Sequence, residues 1–478
     1  MTHVNYIDAE RKTPTVKTHA EDFRSLLSRF EEAGRLVRVG VEVDPVFELA
    51  AVCRRFQQDP DKREHVVVFE NVRGSSFPLV GNLCDSRNKI AFAMGTTPRE
   101  SIDRVLSATG NPIPVELVEQ PVSQEVVITS PDLGLLPIPT MSELDGGPYI
   151  TAGLHLTRNP ITGVRNAGIQ RNQVHAPDLL GIYMAPTHML QHYLAAQEKG
   201  VALPVAIALG VHPSLLVASQ LRLPYDTDEL AVAGALVGEP VRMARCVAID
   251  AEAPADAEIV IEGEVLPDER RLEGPFGEFA RLYGPARELP VVRVRAITHR
   301  QRPLYHNVMS ASSPENVTLG AVGREPSLLK ALRSSVPTVE SVRITIGGGA
   351  NFHAVVALRK NFEGEPQKVG FAAFAAQDLI KHIYVVDEDI DIFDDEELHY
   401  ALATRMDPSQ DIHVVENVKG NPLDPMSTEY QPGRAVVNKM IVDATKPMGS
   451  EDRYRTAEVP ADVLERVAKD WDRYLGGA

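Results

Sequence analysis

Glu273 and Glu278 stand five residues apart in the stretch RLEGPFGEFARLYG (271–284), around Gly274, Pro275, Phe276 and Gly277. A helix is disfavoured there, because Pro275 lacks an amide donor and glycine lowers helix propensity. An unbroken strand would send the two carboxylates to opposite faces, since five is an odd separation. A turn could aim both at one space. Two carboxylates sharing a pocket push their pKa values apart, so one can stay protonated as an acid while the other stays charged. The plainer reading is a solvated loop with two surface glutamates, and the pair alone does not choose.

A second pair lies in VRNAGIQRNQ, where Asn166 and Arg171 are five apart with Gly168 between them. Again a bend is needed to bring both to one side, and glycine can supply it. Arg171 is a permanent cation able to fork onto a carboxylate. MAPTHMLQHYL offers His188 and His192 on one helical face, and YDTDELAVAGALVGEP adds Glu229. Taken singly, each has a structural reading: a turn asparagine, a helix-surface histidine, an acid at a helix N-terminus.

These residues need a large scaffold, and 478 residues exceed a single hydrophobic core. Hydrophobic residues at 44% and charged residues at 24% are ordinary globular values. With 66 acids against 49 bases the net charge is −17, which argues against nucleic acid or an anionic membrane as partner. A small anionic substrate stays open, because one arginine can dominate a pocket. Cys53, Cys84 and Cys246 are far apart with no CxxC spacing, so neither a disulfide framework nor a zinc-thiolate site is expected. That fits a reducing cytoplasm. The N-terminus lacks the apolar core of a signal peptide, and ALPVAIALGV (202–211) is about half of a bilayer span. A soluble, cytoplasmic protein with no membrane span is expected.

Along the chain, the first dozen or so residues read as a polar arm. Phe23, Leu26, Leu27 and Phe30 then recur at helical spacing, with Gly34 as the stop. HVVVFENV (65–72) reads as a strand, so an α/β domain is expected over 1–115. Residues 116–315 are rich in β-branched runs broken by Pro, Gly and Asp, with one long helical stretch at about 186–199. They predict a β-rich domain, barrel-like in character. Over 316–450 helix and strand signals alternate again, as in an α/β domain with a largely parallel sheet. In the tail, 451–478, Val463, Val467, Trp471 and Leu475 form one helical stripe, which predicts a docking helix on the body or on another subunit.

Two segments imitate functional loops. ITIGGGANF (344–352) lacks the GxGxxG spacing and is followed by a strand signal, so a hairpin turn is expected. DEDIDIFDDEE (387–397) alternates acids as a calcium loop does, but Ile392 and Leu398 occupy the positions that need Gly and Glu. A strand end followed by an acid-rich helix N-terminus is the expectation there.

In combination these stretches carry a family resemblance. NAGIQR (166–171), PTHM (186–189), ELAVAGALVGEPV (229–241), LEGPFGE (272–278), VVDEDIDIFDDEELHYALATR (385–405) and NKMIVDAT (438–445) stand in the order and near the spacing of the UbiD-like decarboxylases. The sequence resembles that family over most of its length. The resemblance implies reversible, non-oxidative removal of CO2 from an aromatic, heteroaromatic or α,β-unsaturated acid, through a covalent adduct with prenylated FMN. It implies an α/β (α+β multidomain) fold with a central flavin-reductase-like split β-barrel and a C-terminal α/β domain that mediates a homodimer or homohexamer. Arg171, Glu273 and Glu278 match the catalytic Glu–Arg–Glu triad, with Glu278 as proton donor. Asn166, His188 and Glu229 match ligands of a divalent metal, usually manganese (Mn2+), beside the cofactor phosphate; hard oxygens and one imidazole suit that ion. Ile169, Gln170 and Arg171 match the segment lining the isoalloxazine. Thr187 and Met189 flank His188 in the cofactor-binding motif, and Lys439 matches a cofactor-contacting lysine. Some relatives also hold potassium (K+) through backbone carbonyls, here near Ala218 and Ser219. A flavin prenyltransferase would then supply the cofactor. Phe279 and the ARLYG that follows depart from the pattern where substrate selection sits. Two other readings share the scaffold: a non-catalytic subunit of a multi-subunit carboxylase, and an ordinary FMN reductase.

Overall fold

The structure, a computed structural model, describes residues 21–311, 313–431 and 434–474; the polar N-terminal arm and Leu475 lie outside them. Asp22 caps the first helix, Phe23–Glu32, by accepting from the Ser25 N–H at 2.8 Å. The four residues placed on one stripe by their spacing, Phe23, Leu26, Leu27 and Phe30, are all buried. They belong to a core shared with Val66 and Val68 of the strand Val66–Phe69, all of whose residues are buried. That strand lies between Leu36–Val39 and Leu79–Gly81. The fourth strand of this sheet is Tyr305–His306, parallel to Leu79–Gly81 and contributed from far along the chain.

The middle of the chain forms a nine-stranded, mainly antiparallel sheet built on two long strands, Ile259–Glu273 and Arg287–His299. On one side follow Leu179–Tyr183, Arg171–Ala176 and Tyr149–Ile150; on the other follow Leu203–Leu209, Leu154–Arg158 and Arg165–Ile169. The last strand of one flank, Arg165–Ile169, and a strand near the opposite edge, Arg171–Ala176, are joined by the single residue Gln170. A sheet whose opposite flanks are one residue apart must curl back on itself, and it closes as a split barrel at Gln170. Three helices accompany it, not the one expected. His188–Glu198 lies where the spacing predicts, Pro213–Ala218 is additional, and Glu229–Val237 begins at the glutamate read as a helix N-terminal acid. Glu229–Val237 is buried on most sides, so its apolar run carries no amphipathic stripe to reveal it. Its ends are marked by Asp228, which accepts from the Leu230 N–H, and by Gly238 at φ 99°.

The C-terminal sheet runs Val339–Ile344, His353–Leu358, His382–Asp387, Arg434–Ala444, Ile412–Lys419, with Thr428–Gln431 also paired to Arg434–Ala444. Only its two central pairings are parallel; the flanking pairs are antiparallel. The sheet is therefore mixed, not largely parallel, because hairpin returns at both sides replace helical crossovers. GGGANF is the connection of one such hairpin. The acids after His382–Asp387 lead into the helix Asp395–Arg405, whose Asp394 cap accepts from the Glu396 N–H. Arg405 binds Asp387 at 2.7 Å and Asp389 at 2.8 Å, so these carboxylates are used in ion pairs.

The first helix of this part, Glu315–Ser335, begins ten residues before the helical signal of EPSLLKALRSSV, which starts at Glu325, and carries Pro326 in its interior. Proline ordinarily breaks a helix by removing one intrahelical bond; here thirteen buried residues along the helix hold it through that gap. At the tail, the helix Ala461–Lys469 buries none of its residues and Trp471 is 42% exposed. Among the described residues nothing buries the stripe, of which Val463 and Val467 are half-buried.

Candidate active site

Both glutamates converge on Arg171. The Arg171 Nε and Nη2 donate to the two carboxylate oxygens of Glu273 at 2.8 and 3.0 Å, and Nη1 pairs with Glu278 Oε1. The guanidinium carbon lies 4.6 Å from the Tyr183 ring and 4.7 Å from the Phe276 ring, held between two aromatic faces. Tyr183 is the cross-strand partner of Arg171. Phe276 is supplied by the turn itself.

That turn is what the residue types require. Glu273 ends a strand, Gly274 takes φ 96°, the Gly274–Pro275 peptide is cis, and the chain resumes as Phe276–Gly277. The backbone is bonded on every side. Gly274 N–H donates to Gln173 Oε1 at 2.9 Å, and Gly277 N–H donates to Asp145 Oδ1 at 2.9 Å. The Pro275 carbonyl accepts from Gly146 N–H at 2.8 Å, and the Gly277 carbonyl accepts from Ser310 Oγ at 2.6 Å. Gln173 Nε2 donates to the Gly146 carbonyl at 2.6 Å, and its Oε1 also accepts from the buried Tyr149 hydroxyl at 3.1 Å. A side chain at Gly146 would place its Cβ 2.4 Å from the Gly274 carbonyl oxygen, so only glycine permits this approach.

The two carboxylates are unequal. Glu273 is fully buried and doubly bonded, whereas the Glu278 side chain keeps 15% of its surface. Burial raises the Glu278 pKa above the usual glutamate value, and Arg171 only partly opposes that rise. Burial would lower the Arg171 pKa, but the two glutamates more than offset it and the cation is held firmly.

Asn166 and Arg171 lie on the two strands that flank the split. The bend between them is at Gln170, not at Gly168, which sits within the strand Arg165–Ile169. Gln170 is buried, and its Oε1 accepts from Ala185 N–H at 3.2 Å. Ile169 is half-buried on the same edge. Glu229 Oε2 accepts from Ala167 N–H at 2.9 Å, which ties the start of one helix to the strand bearing Asn166. Glu229 Oε1 lies 3.4 Å from His188 Nδ1. The two histidines of the helix diverge in role. His192 is buried with its Nδ1 2.9 Å from Thr157 Oγ1, while His188 keeps 24% of its surface.

Glu229 thus joins the His188 imidazole to the backbone of the residue after Asn166, which is itself buried. Among the described residues there is no cluster of three His, Cys, Asp or Glu; a hard-cation set completed by an amide oxygen and phosphate oxygens fits the residues present. Thr187 precedes the helix His188–Glu198 and leaves its side chain off the cap, so the first amides of that helix are available to an anion. Met189 is fully buried among the barrel's core residues, so its side chain serves packing and only its backbone can face a cofactor. Lys439 lies on Arg434–Ala444, its Nζ donating to the Asp378 carbonyl at 2.7 Å, with burial lowering its pKa to about 8.

Gln173, Tyr183, Asp145, Tyr149 and Ser310 were not singled out from the sequence. Gln173 alone left a signal, because it follows Arg171 by two in a strand and must share its face.

The scaffold and site have known counterparts. Three family models match consecutive parts of the chain: the N-terminal domain of 3-octaprenyl-4-hydroxybenzoate carboxy-lyase over 27–109, its Rift-related domain over 115–313 and its C-terminal domain over 317–444. Anhydromevalonate phosphate decarboxylase of Methanothermobacter thermautotrophicus is 35% identical over 90% of this chain and 98% of its own. The UbiD-class enzyme HmfF from Pelotomaculum thermopropionicum, solved in complex with FMN, is 41% identical with a TM-score of 0.87, covering 93% of this chain and 98% of that one. An evolved dimeric form of HmfF, solved with prFMN, is 40% identical with a TM-score of 0.83, covering 92% and 98%. The split barrel, the paired glutamates on one arginine and matches from residue 27 to 444 converge on one conclusion: the chain belongs to the UbiD family and is a prenylated-FMN-dependent carboxy-lyase.

Proposed function

We propose that the protein removes CO2, reversibly and without net redox change, from an aromatic, heteroaromatic or α,β-unsaturated carboxylic acid, with Glu278 as the proton donor. The observation that carries this reading is the asymmetry of the two carboxylates on Arg171: one sealed and doubly bonded, the other reachable and held toward its protonated form. Glu273 fixes the plane of the guanidinium; Glu278, held through one nitrogen, is free to turn from Arg171 and give its own carboxyl proton to the carbon that loses CO2. Prenylated FMN supplies, when bound, the electron sink that no side chain offers for the pair left on that carbon.

The cofactor would rest along Ile169, Gln170 and Arg171, with its phosphate toward the first amides of the helix after Thr187. Asn166, His188 and Glu229 would hold manganese against that phosphate. The carbonyls of Ala218 and Ser219 end the helix Pro213–Ala218, where partial negative charge gathers, and would hold potassium. Lys439 keeps two donor hydrogens beyond its bond to Asp378, available to the cofactor. The unburied tail helix is the surface we assign to assembly as a homodimer or homohexamer. Three free cysteines fit a cytoplasmic setting, and no helix among the described residues is long and apolar enough to cross a membrane. Neither an assembly subunit nor an FMN reductase has use for an acid at Glu278.

The test is production with and without a flavin prenyltransferase, mass analysis of the bound flavin, and incubation with aromatic, heteroaromatic and acrylic acids in D2O. Deuterium at the carbon that loses CO2, only in the protein carrying the prenylated flavin, is the expected outcome. Equal turnover with plain FMN overturns the reading.

A further inference from the structure

Proton donation by Glu278 leaves a carboxylate where burial disfavours one. Arg171 then faces two carboxylates with a single positive charge. A second cation stands beside the triad. Arg287 opens the strand Arg287–His299 and is in register with Glu273 on the strand Ile259–Glu273. Opposite residues of an antiparallel pair project from one face of the sheet, so Arg287 shares the face from which Glu273 reaches Arg171.

The hairpin between these two strands brings Glu278 back to the same place. Phe276 and Gly277 pair with Gly284 and Tyr283, and Glu278 N–H donates to the Leu282 carbonyl at 2.8 Å. A Cβ on Gly284 would lie 3.1 Å from Glu278 Oε1, and Arg287 follows Gly284 by three residues. Ala286, just before it, closes on the turn: its Cα is 3.1 Å from where a Cβ on Gly274 would stand.

The Arg287 guanidinium is uncommitted. Among the described residues its side chain makes no ion pair and no hydrogen bond, although it is half-buried. Other arginines of the same two strands are paired, Arg271 with Glu269 at 2.9 Å and Arg293 with Asp178 at 3.1 Å. The charge of Arg287 acts instead on Glu278 and on Tyr183, the ring that covers Arg171. The remaining titratable groups nearby are spent or neutral. Asp145 accepts from the Gly277 and Ser142 amides, each at 2.9 Å. Burial raises the pKa of Tyr149 and of Tyr183, which stay neutral phenols. Burial lowers that of His175, beside Glu273, which stays a neutral imidazole. Arg171 and Arg287 are the cations, and Glu273 the anion, whose charges bear on Glu278.

We propose that Arg287 is a positioning residue of the reaction: the second counter-cation of Glu278, which meets the carboxylate left when the donor's O–H bond breaks. In that step the electron pair freed by loss of CO2 becomes the new C–H bond, and the negative charge comes to rest on Glu278 between two guanidinium groups. Arg287 thereby makes Glu278 a stronger acid without touching the substrate. The assignment rests on the decarboxylase reading, but the protonation of Glu278 is measured without turnover.

Tm is recorded against pH for flavin-loaded parent, Glu278→Gln, Arg287→Gln and the double variant. The difference between parent and Glu278→Gln reports the protonation of Glu278, since groups common to both cancel. In the Arg287→Gln background that difference should level off at higher pH, because a carboxyl with one cation fewer ionises less readily. Arg287→Lys should restore the parent's curve. Salt at about 1 M, where the Debye length is about 3 Å, should move the parent toward Arg287→Gln. On any acid that turns over, the ratio of Arg287→Gln to parent kcat/KM should climb about 3–10-fold across the alkaline limb. A difference that levels off at the same or lower pH overturns the proposal. So does a uniform fall in Tm or kcat/KM with the limb unmoved, which would make Arg287 structural only. No turnover on any acid, with the curves displaced as stated, would sink the decarboxylase reading while upholding the pairing of Arg287 with Glu278.

Discussion

Arg171 and Glu273 are locked by two parallel hydrogen bonds of 2.8 and 3.0 Å, with the carboxylate wholly removed from solvent. The Glu278 contact on the same guanidinium uses one nitrogen only. The two glutamates should therefore fail in different ways. Glu278→Gln should bind flavin and acid normally, release CO2 once and then stall, lowering steady-state turnover by about 10²–10⁴-fold. Glu273→Gln leaves Arg171 without its fixing partner, and should lose flavin or its competence as well as rate. Quench-flow CO2 release beside flavin absorbance separates these outcomes; near-parental turnover in both variants contradicts the triad.

The raised pKa of Glu278 carries a pH signature. Activity that needs the protonated acid should be full below its folded pKa and fall as pH rises through it. Stability follows the same sign: between the ordinary value of 4.5 and the raised folded value the native state binds more protons than the unfolded chain, so stability drops with rising pH. Glu278→Gln should flatten that part of the Tm–pH curve and raise Tm above it. A Tm profile identical to the parent's would show that Glu278 is not desolvated in solution.

Glu229 holds both the strand at Ala167 and, in our reading, the metal. Glu229→Gln keeps an acceptor for the Ala167 amide but removes the charge. Metal and flavin should fall together, read by elemental analysis and absorbance, while the fold persists by circular dichroism. Full manganese occupancy in the variant contradicts the ligand assignment.

Gly146→Ala tests the turn from outside the catalytic residues. Its methyl group would collide with the Gly274 carbonyl at 2.4 Å and push the turn away from Arg171. A cost of about 1–3 kcal/mol in stability is expected, with flavin retained and turnover reduced. Parental activity in a folded Gly146→Ala protein would mean that the turn tolerates displacement.

The meeting of Glu273, Arg171 and Glu278 was legible only in combination: the glycine–proline turn alone reads equally as a solvated loop, and its occurrence with NAGIQR is what is specific. The helix Phe23–Glu32 was legible because half of it faces solvent and its period shows. Glu229–Val237 was legible only at its first residue, read as an acid at a helix N-terminus, because burial on most sides erases the period. The bend at Gln170 was assigned to Gly168 because propensity is local, while the split is a property of sheet closure. Asp145, Ser310 and Tyr149 act through bonds across long sequence separations, which no spacing rule reports.

Tyr305–His306 completes the first sheet beside Leu79–Gly81 only after the whole barrel has intervened. During synthesis, the opening α/β unit must wait with an open hydrogen-bonding edge until the ribosome has passed the last barrel strand, Arg287–His299, and delivered Tyr305–His306. The N-terminal unit and the barrel are thus sewn by one returning thread, and a protease cut between them would leave neither piece with a finished border.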